Sequence, residues 1–259
     1  MHRFISKRLP TENSNVDLDP DEAKHATRVL RLTEGATVEV LDGQGKAVRA
    51  RLIRNGPRWC FEFVAAVAAP TGPAMTPLIL EVALLKGEAM EWVVEKAVEL
   101  GVAELVPVDS QNCTLKIEGK GPEHFQKRWQ KIADQALKQC GRPQRMQVHL
   151  PVRLEDLLKR PARRYLCVEP IHHTNEPPPL LQRALEVGSV DASNDSSSIH
   201  VLVGPEGGWS FRELSQMRAD AQIRSVSLGA LTLRAETACL FAISVAQSVQ
   251  QSLLDKKIK

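Results

Sequence analysis

The sequence predicts an α/β protein in which a mostly parallel sheet covered by helices follows a smaller β-rich domain. From residue 77 onward, apolar runs alternate with amphipathic helical segments, which is typical of parallel sheets. Before residue 69, short alternating segments are separated by tight turns. The stretch 70–73 (PTGP) suits neither helix nor strand and reads as a linker, so we expect domains at 1–72 and 75–259.

The amino-terminal part carries a hairpin signature. Residues 37–41 and 47–53 alternate between apolar and polar side chains on either side of the turn Asp42-Gly43-Gln44-Gly45. A third strand is predicted at 59–64, and a short helix between Asp19 and Arg31. Several short strands joined by tight turns indicate a small barrel or sandwich.

In the second part, residues 78–85 form a nearly continuous apolar run, as expected of a strand buried on both faces. The segment 88–100 has one apolar stripe and is predicted to be a helix ended by Gly101. The small, polar stretch 188–198 is expected to be a surface loop. Further strands are predicted at 105–108, 165–168, 199–203 and 225–228, and further helices at 122–139, 154–158, 177–186, 211–219 and 235–254.

Composition narrows the class of protein. No apolar run approaches the roughly 20 residues that cross a bilayer, and no secretion signal is visible, so we expect a cytoplasmic protein without a membrane partner. The five cysteines are far apart and odd in number, which argues against a disulfide framework and against a zinc site. We therefore expect no metal.

Positive charge is concentrated in residues 116–164, which contain thirteen Lys and Arg residues but only five Asp and Glu residues. A polyanion would be drawn to this segment because basic side chains release counterions from phosphates. A solvated basic helical face is the alternative, so charge alone supports a nucleic-acid partner without proving one.

The sharpest motif is Gly204-Pro205-Glu206-Gly207-Gly208-Trp209-Ser210, which follows a predicted strand. Ser210 can cap the next helix, with Glu213 completing a capping box. Ligands of open α/β sheets bind outside the carboxyl ends of the strands, where this turn must lie, and glycines let the backbone approach a ligand closely. A tight connection without a ligand is the alternative.

Two other predicted strand ends carry polar residues. Gly229 follows one strand, and Arg234 and Glu236 open the last helix; Glu169 follows another strand. An arginine at a helix amino terminus opposes the helix dipole, so helix stability does not explain it, although pairing with Glu206 or Glu236 could. We expect one crevice for a polar small molecule with a flat, adenine-like part. The sequence has neither a nucleoside-triphosphate loop nor a dinucleotide-binding fingerprint.

These motifs resemble a known family. GPEGGWS at 204–210 and LGALTLRAETA at 228–238 are similar to the signature loops of the RsmE family, the 16S ribosomal RNA uridine N3-methyltransferases. The stretches 84–101 and 135–143 and the segments RVLRL at 28–32 and DGQG at 42–45 resemble the same family. The resemblance spans nearly the whole chain, and the polar stretch 188–198 looks like an insertion.

The resemblance implies a SPOUT-type α/β fold, a parallel sheet with a deep trefoil knot, after an amino-terminal PUA-like β-barrel that binds RNA. It also implies a homodimer, S-adenosyl-L-methionine as cofactor, and one uridine of 16S rRNA, within the 30S subunit, as target. Arg234 would be catalytic. The cofactor would contact Leu166, Glu169, Gly204, Glu206, Gly207, Gly208, Leu228, Gly229 and Leu233. Independently of the resemblance, we expect RNA phosphates to be held by Arg3, Arg8, Arg28, Arg31 and, as a group, the basic segment 116–164, which includes Arg142.

Methylating N3 of uridine requires loss of its proton, and the charge that develops on the uracil oxygens needs a preorganised cation, for which Arg234 is the candidate. Glu206 and Glu236 are candidate proton acceptors, although a structural hydrogen bond explains each as well. Two alternatives remain open: an enzyme acting on a phosphorylated metabolite, and a non-catalytic RNA-binding ribosome-assembly factor. Transfer of labelled methyl groups to rRNA separates all three.

Overall fold

The computed structural model describes residues 1–68, 75–117, 119, 121–169, 177–190 and 198–258. The chain forms two compact units. The first comprises Met1–Gly72 with Asp134–Arg145, and the second comprises Pro73–Ala133 with Met146–Lys259. The predicted linker at 70–73 and residues 191–197 of the predicted polar loop lie outside the described residues.

A five-stranded sheet dominates the first unit, with the strand order β1-β3-β4-β5-β2. Its strands are β1 (Arg3–Ile5), β2 (Val16–Asp17), β3 (Thr37–Leu41), β4 (Ala47–Asn55) and β5 (Arg58–Val67). The predicted hairpin is confirmed, since β3 and β4 pair antiparallel with Thr37 opposite Arg51. Alternate positions of these strands, among them Val38, Val40 and Leu52, are fully buried, which is the physical basis of the alternation.

The predicted helix of the first unit is short. Helix α1 (Pro20–Lys24) begins at the Asp19 cap and continues into a π-helical turn, His25–Val29. Helical structure ends there because Arg31 adopts a left-handed backbone conformation, with φ of 54°. Strands β1 and β2 were not predicted, since two or three residues are too few to show an alternating pattern.

Every strand pair of the second unit is parallel, which confirms the predicted parallel sheet. The strands are β6 (Leu78–Ala83), β7 (Glu104–Asp109), β8 (Gln147–Val148), β9 (Val152–Arg153), β10 (Arg164–Cys167), β11 (Ile199–Val203) and β12 (Ile223–Val226). Their order is β12-β10-β11-β6-β7, and both β8 and β9 pair with β7.

Six helices of the described chain accompany this sheet: α2 (Glu88–Glu99), α3 (Pro122–Cys140), α4 (Leu154–Leu158), α5 (Leu181–Val190), α6 (Phe211–Ala219) and α7 (Ala235–Ile258). The last residues of α3 belong to the first unit. After the edge strand β12, α7 packs against β6, β11, α2 and α5. None of the described helices is both long enough and apolar enough to span a membrane.

Several predicted boundaries are wrong, and two of them have a clear local cause. The strand predicted at 225–228 ends at Val226, because the Ser227 hydroxyl accepts from the Gly229 amide at 3.1 Å and turns the chain. The helix predicted at 177–186 begins only at Leu181 and continues to Val190, so residues 188–190 of the predicted surface loop are helical. Prolines at 177–179 lack amide hydrogens and bias the residues before them away from helix.

A buried ion pair links the central strands of the second unit. Arg164 on β10 and Glu81 on β6 are each 1% exposed, and Nε of Arg164 donates to Oε2 of Glu81 at 2.8 Å. Between them, His200 on β11 places Nδ1 at 2.9 Å from the other Glu81 oxygen. Arg164 also donates to the carbonyls of Leu157 and Arg160. Because an unpaired buried charge is costly, the network favours this strand order.

Candidate active site

The carboxyl ends of β6, β10, β11 and β12 surround one cavity of about 550 Å³. Its lining comes from four stretches of the chain, within residues 86–89, 167–169, 203–214 and 228–238. Parallel strands end at the same edge of a sheet, so residues far apart in sequence are brought together there. The three motif-bearing strand ends therefore meet at a single site.

Seven of the nine residues expected to contact a cofactor line this cavity: Glu169, Gly204, Glu206, Gly208, Leu228, Gly229 and Leu233. Arg234 lines it as well. Leu166 does not, because its side chain is fully buried in the apolar core of the sheet. Gly207 also lies outside the lining, and a Cβ there would meet the Cβ and carbonyl oxygen of Asn112 at 3.2 Å.

The glycine-rich loop is held from two sides. Gly208 adopts φ of 68°, and its amide donates to the Pro205 carbonyl at 2.9 Å. The side-chain amide of Asn112 donates to the Gly208 carbonyl at 2.9 Å. Glu213, in the confirmed capping box with Ser210, also accepts from the Gln111 amide. Sequence reasoning missed the Gln111–Asn112 segment, since no motif marks it.

A hydrogen bond of Glu206 connects the same loop to the segment that follows β6. The Glu206 carboxylate accepts from the main-chain amide of Lys86 at 2.9 Å. This contact gives Glu206 a structural role. Lys86 lines the cavity but was not predicted as a site residue, although its place just after a buried strand was a usable signal.

The charges in the cavity wall are uneven. The described lining contains three carboxylates (Glu169, Glu206, Glu236) and two cations (Lys86, Arg234). Arg234 is exposed, and its guanidinium makes no hydrogen bond or ion pair with any residue of the described chain. Pairing with Glu206 or Glu236 therefore does not explain Arg234. Its carbonyl accepts from the Ala238 amide at 2.8 Å, which fixes its backbone at the start of α7.

One wall of the cavity is apolar and tight. Burial raises the pKa of the Cys167 thiol to about 12, so this group is neutral at physiological pH. The indole Nε1 of Trp209 is buried without a hydrogen-bond partner in the described structure. A Cβ on Gly204 would lie 2.8 Å from that nitrogen, so only glycine permits this packing. A buried, unsatisfied donor in a cavity is available to a ligand.

The arginines expected to hold RNA all lie in the first unit, but they differ in exposure and in the protein groups that they contact. Arg8, Arg28 and Arg31 are exposed. Arg3 is engaged instead: it pairs with Glu39 at 2.9 Å and donates to the carbonyls of Lys138 and Gln139. Arg142 is half-buried, and its burial lowers the pKa of its guanidinium. Charge in the sequence does not reveal which cations already have protein partners.

Metal-binding chemistry was not expected. Within the part of the chain that the structure describes, no group of three or more His, Cys, Asp or Glu side chains is arranged to hold an ion. The adjacent pair His172-His173 lies outside that part.

Fold and cavity together define an α/β domain that binds a small molecule at the carboxyl ends of a parallel sheet. Residues 73–247 match the family described as the RNA methyltransferase domain, and residues 18–58 match the RNA methyltransferase PUA domain. The chain belongs to the RNA methyltransferase domain family.

Individual relatives agree with the resemblance to the RsmE family, which is confirmed. Ribosomal RNA small subunit methyltransferase E of Bacillus subtilis is 26% identical over 96% of both chains. The crystal structure of the enzyme of that name from Neisseria gonorrhoeae, bound to S-adenosyl methionine, is 29% identical with a TM-score of 0.78, covering 96% of this chain and 98% of its own. A Legionella pneumophila methyltransferase in complex with the same cofactor is 26% identical with a TM-score of 0.78, covering 95% and 96%.

Proposed function

We propose that the protein transfers a methyl group from S-adenosyl-L-methionine to N3 of one uridine in 16S ribosomal RNA. The observation that carries the proposal is Arg234, an exposed guanidinium without a partner in the described chain, in the wall of a cavity built by the family's signature loops. Relatives that match over nearly the whole chain carry the name of ribosomal RNA small subunit methyltransferase E.

The cavity suits this cofactor in its charge and in the chemistry of its walls. S-adenosyl-L-methionine has a net positive charge, because its sulfonium and ammonium outnumber its single carboxylate. The described lining has a net negative formal charge, because it contains three carboxylates and two cations. The apolar wall at Cys167 and Val168 suits the flat adenine, and the free Trp209 N–H offers a hydrogen bond. Glu169, Gly204, Gly208, Leu228, Gly229 and Leu233 would hold the cofactor.

When bound, the cofactor supplies an electrophilic methyl group on sulfur. N3 of uridine becomes a nucleophile only after losing its proton, and negative charge then spreads onto the uracil oxygens. The Arg234 guanidinium would face that charge and stabilise the deprotonated base. The Ala238 amide fixes the Arg234 backbone at the start of α7, beside the cavity. Because N3 lies on the pairing edge, the uridine must be unpaired or flipped out of its helix. Glu206 already accepts from the Lys86 amide, which leaves Glu236 as the candidate proton acceptor.

We further propose a SPOUT-type trefoil knot in the second unit. Its support is the strand order: β10 lies between β11 and β12, and α7 leaves the edge strand β12 to pack on β6 and β11. In the same proposal, residues 1–72 form a PUA-like β-barrel domain and residues 75–259 the methyltransferase domain. The match of 18–58 to the PUA family supports the first assignment, and the grouping of 134–145 with the first unit modifies its boundary.

A homodimer is part of the proposal, and it would act in the cytoplasm on the 30S subunit. On the neighbouring helices α2 and α7, Trp92 and Phe241 are 42% and 46% exposed. Large apolar side chains exposed on packed helices are typical of protein interfaces, so we assign the dimer interface to α2 and α7.

Mass mapping of ribosomal RNA tests the function directly. We expect one uridine of 16S rRNA to carry a methyl group when the protein is present and to lack it when its gene is deleted. Purified protein with S-adenosyl-L-methionine should restore the modification on 30S particles or naked 16S rRNA, and comparing the two substrates identifies the natural one. A 16S rRNA map unchanged by the deletion would contradict the proposal.

Gly204→Val is expected to weaken S-adenosyl-L-methionine binding by about 100-fold or more. The new Cβ would collide with the Trp209 indole at 2.8 Å and push it into the cavity, and strain of this kind costs about 1–3 kcal/mol before any lost contacts are counted. Titration calorimetry measures the affinity. Gly119→Val, where nothing lies within 4 Å of the new Cβ, is the control. Equal affinities in the two variants would show that the cavity does not bind the cofactor.

A further inference from the structure

Lys86 is a second cation in the wall of the cavity, and neither the hydrogen bonds of the fold nor the proposed reaction accounts for its side chain. Lys86 follows β6, the first strand of the second unit. Arg234, in contrast, lies in the loop between β12 and α7, the last two elements of that unit. The Lys86 side chain is exposed, and its ammonium makes no hydrogen bond or ion pair with any residue of the described chain.

The main chain of Lys86, in contrast, is held on both sides. Its amide donates to Glu206 at 2.9 Å, and its carbonyl accepts from the Ala89 amide at 3.1 Å. The next residue, Gly87, adopts φ of 48° as the cap of α2, a conformation that L side chains rarely adopt. The backbone is thus fixed, and only the four-carbon side chain can move.

This arrangement leaves a positive charge on a rigid base, facing solvent at the edge of the cavity. Carboxylates are near in sequence and in space, since Glu206 bonds to the Lys86 amide and Glu88 follows two residues later, yet neither pairs with the ammonium. A cation that stands on a fixed backbone and has no partner within the described chain is suited to an external anion. Two anions reach such a place in the proposed reaction: the carboxylate of the cofactor and a phosphate of the RNA.

We propose that Lys86 binds a backbone phosphate of the RNA beside the target nucleotide and so positions that nucleotide at the cavity. The exposure of the Lys86 side chain favours a phosphate. A small ligand enclosed in the cavity would be expected to have a binding partner that is shielded from solvent, whereas the RNA backbone approaches the cavity from the solvent side. A flipped nucleotide needs its flanking phosphates fixed, and lysine serves as a point charge for that purpose. This inference rests on the proposed function, since it assigns a further residue to the same site.

Steady-state kinetics of Lys86→Gln on 16S rRNA or 30S particles tests it. We expect KM for the RNA to rise roughly 5- to 10-fold while kcat changes less than about twofold, and the slope of log KM against log salt to fall by about one, as for the loss of one phosphate contact. Lys86→Arg keeps the charge and should retain a KM near that of the wild type. Lys256→Gln removes an equal charge from the exposed end of α7 and is the control.

Three results would overturn the inference: an unchanged RNA KM in Lys86→Gln, no recovery in Lys86→Arg, or a loss of S-adenosyl-L-methionine affinity that exceeds the loss for RNA. The last result would assign the ammonium to the cofactor carboxylate. The wild-type protein separates this inference from the function on which it rests, since absence of methylated product with the wild type refutes the function. RNA binding by fluorescence anisotropy still tests Lys86 in that case, because a phosphate contact weakens binding whether or not methyl transfer follows.

Discussion

Replacing Arg234 by alanine is expected to lower kcat for methyl transfer by at least 100- to 1000-fold while S-adenosyl-L-methionine binds with nearly unchanged affinity. The loss has the size that follows removal of one preorganised donor from a site where negative charge develops. The cofactor should be little affected because Arg234 is exposed at the cavity wall, whereas Glu169, Gly204 and Gly229 are among the residues that would hold the cofactor.

Single-turnover methylation of 16S rRNA measures the chemical step, and titration calorimetry measures cofactor affinity. Arg234→Lys should give an intermediate rate, since lysine keeps the charge without the planar set of donors. Arg224→Ala removes an exposed arginine of β12 outside the cavity and serves as the matched control. Normal turnover in Arg234→Ala would refute its catalytic role, and a large loss of cofactor affinity would reassign it to cofactor binding.

Arg164→Met should lower the free energy of unfolding by about 3–5 kcal/mol. The substitution leaves the Glu81 carboxylate buried beside His200 without its cation, and it removes the guanidinium hydrogen bonds to the carbonyls of Leu157 and Arg160. An uncompensated buried charge is the dominant part of this cost.

Urea unfolding, followed by circular dichroism, measures the change. The double variant Glu81→Gln/Arg164→Met removes both charges, so its loss should be smaller than the sum of the two single losses. Arg163→Met changes the exposed neighbour and should stay within about 0.5 kcal/mol of the wild type. If Arg164→Met is too unstable to purify, the double variant and Glu81→Gln still report the coupling. Additive losses would show that the ion pair contributes no interaction of its own.

The sequence was most informative where a local pattern determines the structure. The hairpin of β3 and β4, the buried strand β6 and the capping box of Ser210 each depend on residues a few positions apart, and each was predicted correctly. The glycine-rich loop and Arg234 were identified by motif and by their place after strands, and the topology brings them to one cavity.

What escaped prediction depends on distant partners. The contact of Glu206 with the Lys86 amide joins residues 120 positions apart, and the pairing of Arg3 with the end of α3 spans more than that. No periodicity in the sequence records such contacts, so neither the place of Lys86 in the cavity wall nor the protein partners of Arg3 were predicted. The grouping of 134–145 with the first unit was equally invisible, because α3 runs through the boundary without a break in its helical pattern.

The closure of the cavity by segments from both ends of the second unit has a consequence for synthesis of the chain. A nascent polypeptide that already contains Lys86 has no pocket until the residues through Arg234 and the first turns of α7 have left the ribosome. Capture of the methyl donor therefore begins only after these residues have been made and folded against the rest of the second unit. Retention of labelled donor on ribosome-bound chains of increasing length would report when the last wall is in place.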